Sequence, residues 1–82
     1  MKIIYFAALR RDIGVGEETV EPPAAITTVA QLKLWLADRS PAHAKALSAP
    51  RLMAAVNQDY AGMDSPVAAD DEVAFFPPVT GG

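Results

Sequence analysis

Two proline pairs, Pro22-Pro23 and Pro77-Pro78, set the terms on which this 82-residue chain can fold. Proline has no amide hydrogen for a sheet ladder and its ring fixes φ, so an adjacent pair ends any strand that runs into it. Both pairs follow strand-like segments, EETVE at residues 17–21 and EVAFF at residues 72–76. EVAFF is therefore expected to be the last strand, with an extended, polyproline-like path beyond it. At the other end, the β-branched and aromatic run KIIYFAAL, residues 2–9, predicts a first strand. RDIGVG, residues 11–16, predicts a loop whose glycines absorb the turn into EETVE.

Between the proline pairs the period changes. Thr28 followed by Gln31 has the spacing of a capping box. The helix after it is expected to run to about Arg39, with Val29, Leu32 and Leu36 on one face, Trp35 at its border and Leu34 off it. Ser40-Pro41 predicts a second, shorter helix over AHAKALS. LMAAVNQ, residues 52–58, reads as a third strand, residues 59–63 as its short hairpin partner, and SPVAADD, residues 65–71, as a turn-rich connection. This order gives an α+β fold, a mixed sheet of about five strands with one main helix packed on one face. Because crossovers between parallel strands are right-handed, the simplest solution is a ubiquitin-like β-grasp sheet with the final strand central beside the first. Residues 1–76 make the domain and residues 77–82 an extended tail.

Strand alternation assigns the faces. Lys2 and Arg10 mark the even positions of the first segment as the wetter face, which carries Ile4 and Phe6 with them. By the same charge logic Glu72, Ala74 and Phe76 share that face. One helix cannot cover both sides of the sheet, so Ile4, Phe6 and Phe76 are expected to form an exposed apolar patch. Patches of that kind mark protein interfaces.

The remaining residues exclude more than they suggest. Net charge is −3 with no basic cluster, which argues against nucleic acid as a partner. No stretch is long enough to span a membrane and the N-terminal run is too short for a signal peptide, so a soluble cytoplasmic protein is expected. There is no cysteine, hence no disulfide, thiolate metal site or thiol nucleophile. His43, the single histidine, reads as a surface residue, and a metal site needs several ligands. Asp70-Asp71-Glu72 lacks the spacing of a calcium loop and reads as a solvated turn. Ser40, Ser48 and Ser65 sit in cap or turn contexts, and no acid–base pair stands out, so no active site is expected within the chain itself. The tail is the exception. Pro77, Pro78, Val79, Thr80, Gly81 and Gly82 reach about 19 Å at the polyproline rise of 3.1 Å per residue. Ending without side-chain bulk, they are expected to fit a narrow channel and present the last carbonyl to a buried site in another protein.

DDEVAFFPPVTGG closely resembles the C-terminus of molybdopterin synthase small subunits, which are ubiquitin-like sulfur carriers; LMAAVNQDYA resembles their third strand and hairpin, and IIYFAALRR their first strand. The resemblance implies that Gly82 is converted to an acyl-adenylate by an activating enzyme that spends ATP, and then to a thiocarboxylate with sulfur from a persulfide donor. It implies a tail inserted into the synthase large subunit, where sulfur passes to cyclic pyranopterin monophosphate to build the dithiolene of the molybdenum cofactor. The expected partners are that large subunit, a ubiquitin-activating-like adenylyltransferase and a sulfur donor protein. The resemblance implies no permanently bound cofactor or metal. The synthase is expected as a heterotetramer with two carriers flanking a large-subunit dimer, and the sulfurtransferase active site on the large subunit. The family's interface positions match Phe6, Arg10, Tyr60 and Phe76, with Tyr60 standing where relatives usually carry an aliphatic residue. Two alternatives stay open: a carrier for thiazole synthesis or protein modification, and a non-catalytic β-grasp binding module.

Overall fold

The computed structural model describes residues 1–78. In chain order the elements are β1 (Lys2–Tyr5), α1 (Ala7–Ile13), β2 (Glu17–Thr19), α2 (Val29–Ala37), α3 (Pro41–Leu47), β3 (Met53–Val56), β4 (Asp59–Ala61) and β5 (Glu72–Phe76). The strands form one sheet in the order β2-β1-β5-β3-β4. β5 is central, parallel to β1 on one side and antiparallel to β3 on the other. The expected α+β architecture and the central last strand are both present.

Alternation builds the core. Ile3 and Tyr5 of β1, Ala54 of β3, and Val73 and Phe75 of β5 all face the helices and are buried. Val29, Leu32 and Leu36 of α2 close over them, with Leu9, Ala46 and Leu47 from the shorter helices. Each fully buried leucine or phenylalanine contributes about 1.5–3 kcal/mol relative to exposure. Leu34 points away from this core and is exposed, as its place off the stripe requires.

The termini of α2 and α3 follow from their sequences. The Thr28 hydroxyl accepts the Gln31 N–H, and the Gln31 side-chain amide oxygen accepts the Thr28 N–H in return. Such a cap contributes roughly 1 kcal/mol. Ser40 caps α3 by accepting the His43 N–H, and Pro41 occupies the first turn, where no donor is needed. β3 stops at Val56 rather than running to Gln58, because Asn57 and Gln58 adopt positive φ (50° and 71°) and form a tight turn into β4. Asn57 also fastens that turn to β5: its side-chain oxygen accepts the Glu72 N–H at 3.0 Å and its backbone N–H donates to the Glu72 carbonyl at 2.7 Å.

The first segment departs most from expectation. The first strand does not extend to Leu9, and residues 11–13 are not loop: α1 begins at Ala7. Ala, Leu and Arg are strong helix formers, and Ala7-Ala8-Leu9-Arg10-Arg11 holds nothing else. Ala7 turns the chain with φ 55°, a left-handed conformation that costs an alanine roughly 1–2 kcal/mol. Gly14, at φ 96°, ends the helix by donating its N–H to the Arg10 carbonyl. Leu9 is buried, as expected, but as a helix residue. The sheet thus carries three helices on one face rather than one main helix and a short second one.

Candidate functional site

The face of the sheet away from the helices is uncovered among the described residues, and its two ends differ. At one end Lys2 lies opposite Glu72 and pairs with Glu17 at 3.1 Å. The other end is aromatic. Phe76 stands between Phe6, ring centroids 6.4 Å apart at 80°, and Tyr60, centroids 5.9 Å apart. Register explains the grouping: Met53 pairs with Phe76 and Ala55 with Tyr60, so all four side chains share one face. Phe6 is 49% and Tyr60 75% exposed, while Phe76 between them is half-buried. Although Phe6 lies beyond β1, its backbone stays extended and its N–H still donates to the Phe75 carbonyl. Alternation therefore continues one residue past the strand, and Phe6 points where it was expected to point.

Arg10 reaches the same neighbourhood by another route. Strand alternation placed it on the open face, but it belongs to α1. Its exposed side chain lies over Gly16, where an added Cβ would come within 3.1 Å of Nε. Phe6, Arg10, Val15 and Gly16 line an open cleft of about 480 Å³ beside the aromatic group. Arg10 has no carboxylate partner among the described residues. Phe6, Arg10, Tyr60 and Phe76 are therefore neighbours at one edge of the molecule.

The tail leaves from this edge. Pro77 and Pro78 follow Phe76 directly and are half-buried. Val79, Thr80, Gly81 and Gly82 lie outside the described residues. Asp71 is turned inward on its own turn, accepting the Ala68 N–H and the Asn57 side-chain amide. No three His, Asp or Glu side chains converge as a metal site among the described residues, and no helix there is long and apolar enough to cross a membrane.

His43 requires a correction. It is not a surface residue: its side chain is 13% exposed and fully engaged. Nε2 lies 2.8 Å from Glu18 Oε2 and Nδ1 lies 2.7 Å from Ser40 Oγ. The Tyr5 hydroxyl donates to the same Glu18 oxygen at 2.6 Å, and Arg39 approaches the other oxygen at 3.4 Å while its guanidinium lies over the Trp35 ring. Glu18 pairs with Ile3 across β1, which turns it toward the helices, unlike its neighbours Glu17 and Thr19. Burial alone would raise its pKa, but the Tyr5 and His43 hydrogen bonds and the charges of His43 and Arg39 outweigh that and hold it below the ordinary 4.5. Burial first, then the hydrogen bond and charge of Glu18, push the Tyr5 phenol far above its ordinary 10.0, with Arg39 opposing. Sequence reading missed this group because its members are brought together only by the tertiary fold.

The model of the ThiS family matches residues 3–82. The chain belongs to the ThiS family. Two curated relatives of this ThiS-family chain are molybdopterin synthase sulfur carrier subunits. That of Escherichia coli (strain K12) is 44% identical over 82 residues, covering 100% of this chain and 99% of the relative. That of Haemophilus influenzae is 38% identical, again over 100% and 99%. Among solved structures, a putative molybdopterin converting factor, subunit 1, from Pyrococcus furiosus superposes with a TM-score of 0.78 at 31% identity over 95% of each chain. Small archaeal modifier protein 1 of Haloferax volcanii gives 0.75 at 27% identity over 96% and 97%. The ubiquitin-like β-grasp architecture is thus common to this ThiS-family chain and its structural neighbours.

Proposed function

We propose that this ThiS-family protein is the sulfur-carrier subunit of a molybdopterin synthase, working in the cytoplasm as a 1–76 domain with a 77–82 tail. Gly82 is the reactive position. Its carboxylate, a poor electrophile, is first joined to AMP by a ubiquitin-activating-like adenylyltransferase that consumes ATP. The donor protein's persulfide then displaces AMP to form an acyl disulfide, and attack by a second thiol on the donor-side sulfur releases the thiocarboxylate. A thiocarboxylate stays ionised at neutral pH and is a good sulfur nucleophile. Two such deliveries to cyclic pyranopterin monophosphate build the dithiolene, in an active site on the large subunit of a heterotetramer. The carrier itself holds no permanent cofactor.

The observation that carries this reading is the position of the aromatic group. Phe6, Tyr60 and Phe76 form an exposed platform where β5 gives way to Pro77. A partner that grips the platform receives the tail from the same edge, with Pro77 to Gly81 serving insertion. Aromatic residues at the centre of a patch typically dominate binding energy, and Arg10 beside them supplies a cation for an acidic group on the partner. Incubation with the activating enzyme, ATP and a sulfur donor should raise the intact mass by one oxygen-to-sulfur exchange at Gly82. An unchanged mass beside an active control carrier would refute it.

The likeness to small archaeal modifier protein 1 favours a second reading, attachment of Gly82 to other proteins. Covalent adducts with lysine side chains after activation would support that reading; co-purification with a molybdopterin synthase large subunit supports the first. Co-purification with a thiazole synthase instead would favour the thiazole carrier.

A further inference from the structure

Glu18 lies on the helix-covered side of the sheet, opposite the aromatic platform, yet short paths join it to Phe6 and Arg10. Its Oε2 accepts the Tyr5 hydroxyl at 2.6 Å, and Tyr5 immediately precedes Phe6. The Tyr5 N–H donates to the Gly16 carbonyl at 2.9 Å. Gly16, two residues before Glu18 in the chain, is the surface over which the Arg10 side chain lies. Glu18 is thus linked through Tyr5 to the backbone that carries Phe6, and through β2 to the Gly16 backbone beneath Arg10.

A clamp that served stability alone would not need a charge here. Enclosing an ionised group costs desolvation energy, and apolar replacements of enclosed ion pairs are often as stable or more so. What a carboxylate adds is direction: its two oxygens fix three donors from three parts of the chain. β1 presents Tyr5, the α2–α3 connection presents Arg39, and α3 presents His43. α1 packs on α3, but among the described residues none of its charged side chains joins the cluster. With Glu18 ionised and accepting, His43 Nε2 carries a ring hydrogen, and the Ser40 hydroxyl at Nδ1 fixes the ring plane.

We propose that Glu18 is a positioning residue for the partner face, holding Tyr5 and β2 from beneath and thereby setting where Phe6 and Arg10 stand above. This rests on the partner-face reading given under the proposed function. Glu18 touches neither partner nor substrate; it acts through Tyr5 and Gly16.

Amide resonances of the full-length carrier, followed through an acid titration, test the device without any partner. In the wild type the Phe6 and Gly16 amides should shift with the same midpoint as the Glu18 carboxyl. Glu17 also neighbours Gly16, so the component that counts is the one lost in Glu18→Ala. At neutral pH, Glu18→Ala should displace the Phe6 and Arg10 resonances and weaken large-subunit binding by about tenfold, the scale of one charge-assisted hydrogen bond. Glu18→Gln, which still offers Tyr5 an acceptor but lacks the charge, should fall between Glu18→Ala and the wild type, with its Phe6 and Gly16 resonances where the wild type's stand in acid. If Glu18→Ala fails to fold, Tyr5→Phe severs the same link with the ring retained and should move the same resonances. Unmoved Phe6 and Arg10 resonances, or full affinity in a folded Glu18→Ala protein, overturns the proposal. Should Phe76→Asp also bind normally, the partner-face reading fails, while the resonances still decide whether Glu18 positions Phe6 and Arg10.

Discussion

Phe6 and Phe76 meet edge to face, centroids 6.4 Å apart, though they come from opposite ends of the chain. The parallel pairing of β1 with β5 makes this possible, because both strands reach the same edge of the sheet as they end. An antiparallel pair would have put the two rings at opposite edges and left the tail without a platform at its root.

Phe76→Asp should weaken binding to the large subunit by at least about tenfold, since it places a charge in an apolar contact. The fold should survive, because Phe76 lies on the open face outside the buried core. Isothermal titration with the large subunit, beside a thermal melt of the free carrier, checks both halves. Unchanged affinity would remove the aromatic group from the interface.

Deleting Gly82 should abolish thiocarboxylate formation and restore none of the cofactor in cells that lack their own carrier. Thermal stability should be that of the full chain, because the deletion removes none of the core residues, the last of which among the described residues is Phe75. A deletion protein that still supports molybdenum cofactor synthesis would point to the passive binding module instead.

Acid should loosen the covered face. Glu18 has a folded-state pKa below its ordinary value, so the folded protein binds fewer protons than the unfolded chain in that window. The stability it contributes is present above the ordinary carboxylate range and is lost as pH falls through the folded pKa. Tyr5 has the opposite sign: its raised pKa contributes stability below pH 10.0 that is lost as pH climbs beyond it. Fluorescence of Trp35, in contact with Arg39, should report the acid transition, and Glu18→Gln should flatten it. An identical acid limb in the variant would rule out Glu18 as its source.

Phe75→Ala removes a fully buried ring from the central strand and should cost about 3–5 kcal/mol. Urea unfolding followed by far-ultraviolet circular dichroism measures it. Leu34→Ala, at an exposed position of α2, should change stability by less than about 0.5 kcal/mol and serves as the control.

Local chemistry made much of this architecture legible. The capping box at Thr28 and Gln31, the Ser40-Pro41 start and the stripe of Val29, Leu32 and Leu36 are short-range signals that the fold retains. The β1–α1 boundary was not legible, because KIIYFAAL joins strand-forming to helix-forming residues with no proline or glycine between them; the turn falls on Ala7, a residue that carries no turn signal. Phe6 was placed correctly because its backbone stays extended for one more residue; Arg10 reached the neighbourhood expected of it for a different reason. The Glu18 group was invisible for lack of any local cue. Its Tyr5 and His43 partners lie 13 and 25 positions away, and only the pairing of Ile3 with Glu18 turns the carboxylate inward.

The central place of β5 also governs how the molecule comes into being. Until residues 72–76 have been synthesised, β1–β2 and β3–β4 are two separate ribbons whose inner edges have nothing to bridge them. Unpaired edges of that kind invite aggregation. A product that stops before residue 72 therefore leaves the inner edges of β1 and β3 without their partner and open to pairing with another chain.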